Sequence, residues 1–170
     1  MFALNALLFS FVIGLLPGRE RQVPDPCSLL TLEEVQAQTP AAKIAPGVAE
    51  TVNGPMGVQR CRYEFVAGKD AAAGTYTLTV MVSDASKAYP GAKTGEIKTA
   101  ISRPAAPTDP PAIMIPKTGD GAYYKTTTAD RAQAVALVKG VVLEVTLEGP
   151  KAGNSRRQII ELLRAAAARL

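Results

Sequence analysis

Only Cys27 and Cys61 carry thiols in this chain, and no histidine accompanies them. That inventory narrows the chemistry at once. Structural zinc draws on four Cys or His ligands, and Ser-His or Cys-His nucleophiles need an imidazole base, so none of these sites can be assembled. Two readings stay open for the sulfurs: a disulfide, or a pair of inert buried thiols. The disulfide is the better reading in an exported chain. It would close a loop of about 35 residues, worth roughly 3–4 kcal/mol in the chain-entropy account, and would pin the start of the first helix to the first strand.

The remaining chemistry-bearing groups form no recognisable constellation. Glu64, Asp84, Asp120 and Glu144 offer carboxylates, but each falls in a turn or on the wet face of an expected strand, where carboxylates are ordinarily solvated. "YPGAKTGEIK" at Tyr89 to Lys98 lacks the spacing of a phosphate-binding loop and reads as a loop with a broken helix. No G-x-S-x-G elbow or S-x-x-K dyad occurs. The most distinctive short motif is "GDGAYY", Gly119 to Tyr124. Its structural reading uses glycine for positive φ, Asp120 to bond the turn backbone and one tyrosine to pack inward. Its functional reading makes Asp120 and the outward member of Tyr123 and Tyr124 the lip of a binding groove. No catalytic residue, metal or cofactor is implied.

With 170 residues, 47% of them hydrophobic and 20% charged, the chain has the length and composition of one ordinary folded domain. Tryptophan is absent, so the core must be mainly aliphatic. Nineteen basic and fifteen acidic side chains give a net charge of +4, and the basic ones are scattered, with Arg156-Arg157 the only adjacent pair. This excludes a nucleic-acid footprint, which needs clustered Lys and Arg with interleaved aromatics, and leaves weak attraction to anionic lipid or wall polymer. Residues 1–18 hold the uncharged run "MFALNALLFSFVIGLL", short for a membrane span but suited to an export signal. The rival readings are a retained anchor, giving membrane association through residues 1–18, and a buried core helix. The expected organisation is therefore a signal or anchor over residues 1–18 and a single exported α+β domain over residues 19–170, located in the periplasm, cell envelope or medium.

The elements that must position these residues read clearly in places. Thr31-Leu32-Glu33-Glu34 is a capping box, with Leu30 and Val35 placed as a hydrophobic staple, so a helix starts there and runs to about Gln38. Ala41 to Val58 has no periodicity and reads as loop with room for a short strand. Arg60–Val66 and Thr75–Val82 alternate and should pair antiparallel. Asp84 to Ile101 is weakly helical and split at Pro90-Gly91; "SRPAAPTDPPA" is an extended surface connection. Three further strands follow, "AYYKTT", "RAQAVALV" and "VVLEVTLE", the last two joined by a Lys139-Gly140 hairpin turn. Ser155 to Gln158 reads as a second capping box, opening a helix whose stripe is Ile159, Leu162, Leu163, Ala166 and Leu170. The sum is an α+β two-layer sandwich: an antiparallel sheet of about five strands with helices packed on one face.

"PCSLLTLEEV", "CRYEF", "GDGAYY" and "LVKGVVLEVTL" leading to "LLRAAAARL" together resemble the bacterial cell-envelope lipoprotein-type family called domain of unknown function 3558, over most of residues 24–170. The resemblance implies an exported α+β domain with a Cys27–Cys61 disulfide, and it supplies no activity and no catalytic residues. Where that family carries a lipid-accepting cysteine at the end of its signal, "LLPGRE" has none, so release or a retained apolar helix replaces a diacyl anchor. The expected function is a non-enzymatic envelope module that binds a protein, wall polymer or lipid through its wet sheet face or its proline-rich loop. The alternatives are an envelope hydrolase using carboxylate and tyrosine groups, or a small inhibitor or sensor domain.

Overall fold

In the computed structural model, which describes residues 23–39, 41–52, 58–67, 74–102 and 111–170, alternating strands assemble into one antiparallel sheet. Its segments are β1 (Ala41–Ile44), β2 (Val48–Val52), β3 (Val58–Ala67), β4 (Thr75–Asp84), β5 (Ile113–Met114), β6 (Gly121–Thr128), β7 (Arg131–Val138) and β8 (Val141–Glu148). The helices are α1 (Leu32–Gln38), α2 (Ala85–Ala88), α3 (Thr94–Ser102) and α4 (Arg156–Ala167). Across the sheet the order runs β1 and β2 end to end on the outer edge of β3, then β3, β4, β8, β7, β6 and β5. The described sheet is therefore seven positions wide, not about five. The sequence left room for one short strand where β1 and β2 lie and assigned none at β5; these edge segments have no clean alternation and are held by ladder bonds to β3 and β6, which local pattern does not report.

Period-two alternation puts Cys61, Tyr63 and Phe65 of β3, Leu78, Val80 and Val82 of β4, Leu143 and Val145 of β8 and Ala134 and Ala136 of β7 on one face, all buried. Helix α4 covers this face with Ile159, Leu162, Leu163 and Ala166, as its stripe requires. Each fully buried aliphatic side chain contributes about 1.5–3 kcal/mol. The ring of Phe65 stacks on that of Tyr76 at 5.5 Å between centroids. Helix α1 joins the same layer through Val35, and Arg169 fastens it to the end of α4 by donating to the Leu29 carbonyl and to Glu34, both at 2.9 Å.

Helices do not lie on one face only. Ile97 and Ile101 of α3 and Ala85 of α2 pack with Leu137, Tyr123 and Val142, whose strand parity places them on the opposite side of the sheet. Topology explains the correction. β4 and β5 are separated by β8, β7 and β6, so the chain between them must cross the sheet, and its described part, α2 and α3, lies over the face that α4 leaves free. The centre of the proline-rich connection, residues 103–110, and the apolar segment 1–18 lie outside the described residues. No helix among the described residues is long and apolar enough to cross a membrane.

Local signals fared unequally. The Thr31 capping box forms as written, with Thr31 Oγ1 accepting from the Glu34 amide at 3.2 Å and Glu34 Oε2 accepting from the Thr31 amide at 2.8 Å. The Lys139-Gly140 turn closes with φ of 48° and 78°, the two positive values that a type I′ hairpin needs. The Ser155 box does not form. Ser155 ends the 3-10 turn Ala152–Asn154 with φ −87° and ψ 32°, so the chain rolls from one helical turn into the next and the hydroxyl makes no cap bond. An extended cap residue is what the box geometry demands.

Candidate binding surface

The two sulfurs are joined: Cys27, in the 3-10 turn Pro26–Ser28, is bonded to Cys61 of β3, and their Cα atoms are 5.0 Å apart. The bridge reaches the third strand in chain order, not the first, because β1 and β2 intervene. It holds the turn before α1 against the core face of the sheet, with Cys61 fully buried. Gly47, in the loop between β1 and β2, sits against the Cys61 sulfur and the Tyr63 ring. Burial, and then the nearby Asp25 and Glu34, push the Tyr63 phenol up from its ordinary value.

The "GDGAYY" motif is divided between three environments. Gly119 has φ +54° and lies against the Leu137 carbonyl, so a side chain there would be both strained and blocked. Asp120 is exposed; its amide donates to the Leu137 carbonyl at 2.7 Å, and its carboxylate makes no bond to the turn backbone, contrary to the structural reading of the motif. Tyr123 is half-buried under α2 and α3, and burial, Tyr89 and Glu144 raise its pKa. Tyr124 points to the other face, 2% exposed, and its hydroxyl donates to the Gly153 carbonyl and meets the Thr126 hydroxyl, both at 3.0 Å. Tyr124 thereby ties β6 to the 3-10 turn before α4. None of the grooves described below is lined by Asp120, Tyr123 or Tyr124.

Nor do the four candidate carboxylates converge. Glu64 pairs with Arg62, Asp84 accepts from the Ser86 amide and hydroxyl as the α2 cap, and Glu144 accepts from the Thr146 hydroxyl at 2.9 Å. Asp120 lies in a separate turn. Among the described residues no group of three Cys, Asp or Glu side chains is placed to hold a metal ion.

Among the described residues the helices leave uncovered the half of the sheet formed by β2, β3, β4 and the distal part of β8, on the face opposite α4. Register lays it out in rows. Glu50, Arg60, Met81 and Glu144 form one; Val48, Arg62, Thr79, the buried Thr146 and Gln133 the next; Glu64, Thr77, Glu148 and Arg131 a third. Arg60 pairs with Glu50, Arg62 with Glu64, and Arg131 with Glu148 at 3.2 Å. Such exposed pairs contribute about 0–1 kcal/mol to folding, so their main effect is to balance the sign of the surface. Among them stand Val48 at 60% exposure and Val66 at 64%, with Val52 at the same edge. A shallow groove of about 240 Å³ lies between Val48, Pro46, Glu50, Arg62 and Glu64. The Nε of Arg62 is shielded from solvent and has no hydrogen-bond partner. Sequence alternation indicated that this face is wet; the collection of exposed valines on it depended on β2 pairing with β3.

The chain matches no family model, no curated protein and no solved structure.

Proposed function

We propose that this chain is an exported, disulfide-tied module of the cell envelope that binds a protein partner on the open half of its sheet, without catalysing a reaction. The observation that carries the reading is the composition of that face. Charges of both signs, the half-buried Thr77 and Thr79 and exposed valines are presented together on a hydrogen-bonded sheet. A wall polymer or nucleic acid of uniform charge would be opposed by its four glutamates, whereas a protein surface supplies apolar patches and both signs of charge.

Export is supported by the bridge between Cys27 and Cys61, since such bonds persist in oxidising compartments. The resemblance to the domain of unknown function 3558 family points the same way and is proposed with it. Among the described residues the four candidate carboxylates stand apart, which gives the hydrolase alternative no support.

The test is site-specific photo-crosslinking in intact cells. A crosslinker at Val48 or Thr79 should capture one and the same envelope protein, a crosslinker at the exposed Lys98 of α3 should not, and Val48→Lys with Val66→Lys should abolish capture while leaving the melting temperature unchanged. Equal capture from all three positions, or none from the sheet, would refute the reading.

A further inference from the structure

A second surface lies on the far side of the molecule, away from the open sheet face. Between the edge strand β5 and the first turns of α4 runs a groove of about 580 Å³. That volume falls within the roughly 300–1,000 Å³ range of small-molecule sites. One wall, formed by β5 and the residues after it, is apolar: Met114, 44% exposed, then the buried Ile115, and Pro116; Ile160 stands on α4 beside the basic residues. The other is basic: Arg156, Arg157 and Arg164. The only carboxylate in the lining, Glu161, is engaged by Arg164 at 3.0 Å. Arg156 and Arg157 have no ion-pair partner among the described residues. Arg164 also borders an adjoining groove of about 270 Å³ that holds Lys117. Two arginines of α4 without an ion-pair partner among the described residues thus face a wall that carries an exposed methionine.

From this juxtaposition we infer that the β5–α4 groove binds an anionic amphiphile: a phosphate or carboxylate head held by Arg156 and Arg157, with an aliphatic stem lying along Met114, Ile115 and Ile160. Guanidinium forks suit both head groups, which accept two parallel hydrogen bonds. A free anion would leave the apolar wall wet, and a neutral lipid would leave the arginines unused, so only a molecule with both parts matches both walls. The wall is well supported, because Ile115 is buried and its amide donates to the Ala122 carbonyl at 3.0 Å. This site is independent of the protein-binding face, and either can fail without the other.

Titration calorimetry on the full chain tests it, with dodecyl phosphate below its micelle concentration as probe and inorganic phosphate and dodecanol as controls. Dodecyl phosphate should bind one to one and at least about tenfold more tightly than either control. R156Q/R157Q and, separately, M114D should each weaken it by about tenfold or more, while K98Q on α3 leaves it unchanged. Vesicles of phosphatidylglycerol and of phosphatidylcholine distinguish the sources. Retention of monomeric dodecyl phosphate with no vesicle binding assigns a free amphiphile; retention together with binding to phosphatidylglycerol alone assigns a bilayer lipid. Vesicle binding without monomer binding, equal affinity for inorganic phosphate, or equal loss in K98Q would overturn the site.

Discussion

Gly47 and Cys61 lie in such close contact that a methyl group on the glycine would overlap the disulfide sulfur and come within 2.7 Å of the Tyr63 ring. The loop between β1 and β2 is thus closed down on the bridge, and the bridge, the ring and the loop backbone form one packed unit. Gly47→Ala should destabilise the protein by about 1–3 kcal/mol through overpacking. In a C27A/C61A background the same substitution should cost less, since the sulfur it strikes is gone. Urea unfolding of the four proteins of this double-mutant cycle checks the coupling, and strict additivity would contradict it.

Removing the bridge itself should cost roughly 3–4 kcal/mol, because 34 positions separate the two cysteines and the unfolded chain regains that loop entropy. Denaturation of C27A/C61A against the oxidised parent measures it. A loss below about 1 kcal/mol would mean that the bridge relieves little unfolded-state freedom.

Tyr124 is expected to act in folding and not in recognition. Tyr124→Phe leaves the buried ring in place but takes the hydroxyl from the Gly153 carbonyl, and should cost about 0.5–2 kcal/mol. Partner capture at the sheet face should be unaffected once the variant is folded. Lost capture with unchanged stability would return Tyr124 to the binding surface.

Two hydroxyls with the same sequence context should behave differently. Thr31→Ala removes a formed cap and should cost about 1 kcal/mol. Ser155→Ala removes no cap bond and should stay within about 0.5 kcal/mol of the parent. Parallel thermal melts decide the matter; equal losses would show that Ser155 does cap α4 in solution.

Acid should weaken the contact between α1 and α4. The hydrogen bond from Arg169 is the main cause that holds the Glu34 carboxyl below its ordinary value, with smaller help from the Thr31 amide and against the effect of burial. A carboxylate whose pKa is lower folded than unfolded stabilises the protein above its unfolded value, near 4.3, and loses that contribution as pH falls through the folded value. Glu34→Gln should therefore lower the urea midpoint at neutral pH and converge on the parent in strong acid. A gap that persists unchanged into acid would assign the contact to packing.

What the sequence determined alone was whatever depends on neighbours along the chain. The Thr31 box, the Lys139-Gly140 turn, the alternation of β3, β4 and β8 and the stripe of α4 are all set by residues within a few positions of one another. So was the exclusion of zinc and imidazole chemistry, which needs only a count. The tertiary structure decided what depends on pairing at a distance. Strands β1 and β2 exist because β3 offers them an edge, and α2 and α3 cross to the second face because β8, β7 and β6 fill the space between β4 and β5. Ser155 carries the letters of a cap without its geometry, since the preceding turn fixes its backbone first. Both candidate surfaces belong to this second group. Val48 meets Arg62, and Met114 comes to face Arg156, only across strands and helices far apart in the chain, so their chemistry is a property of the fold and not of any motif.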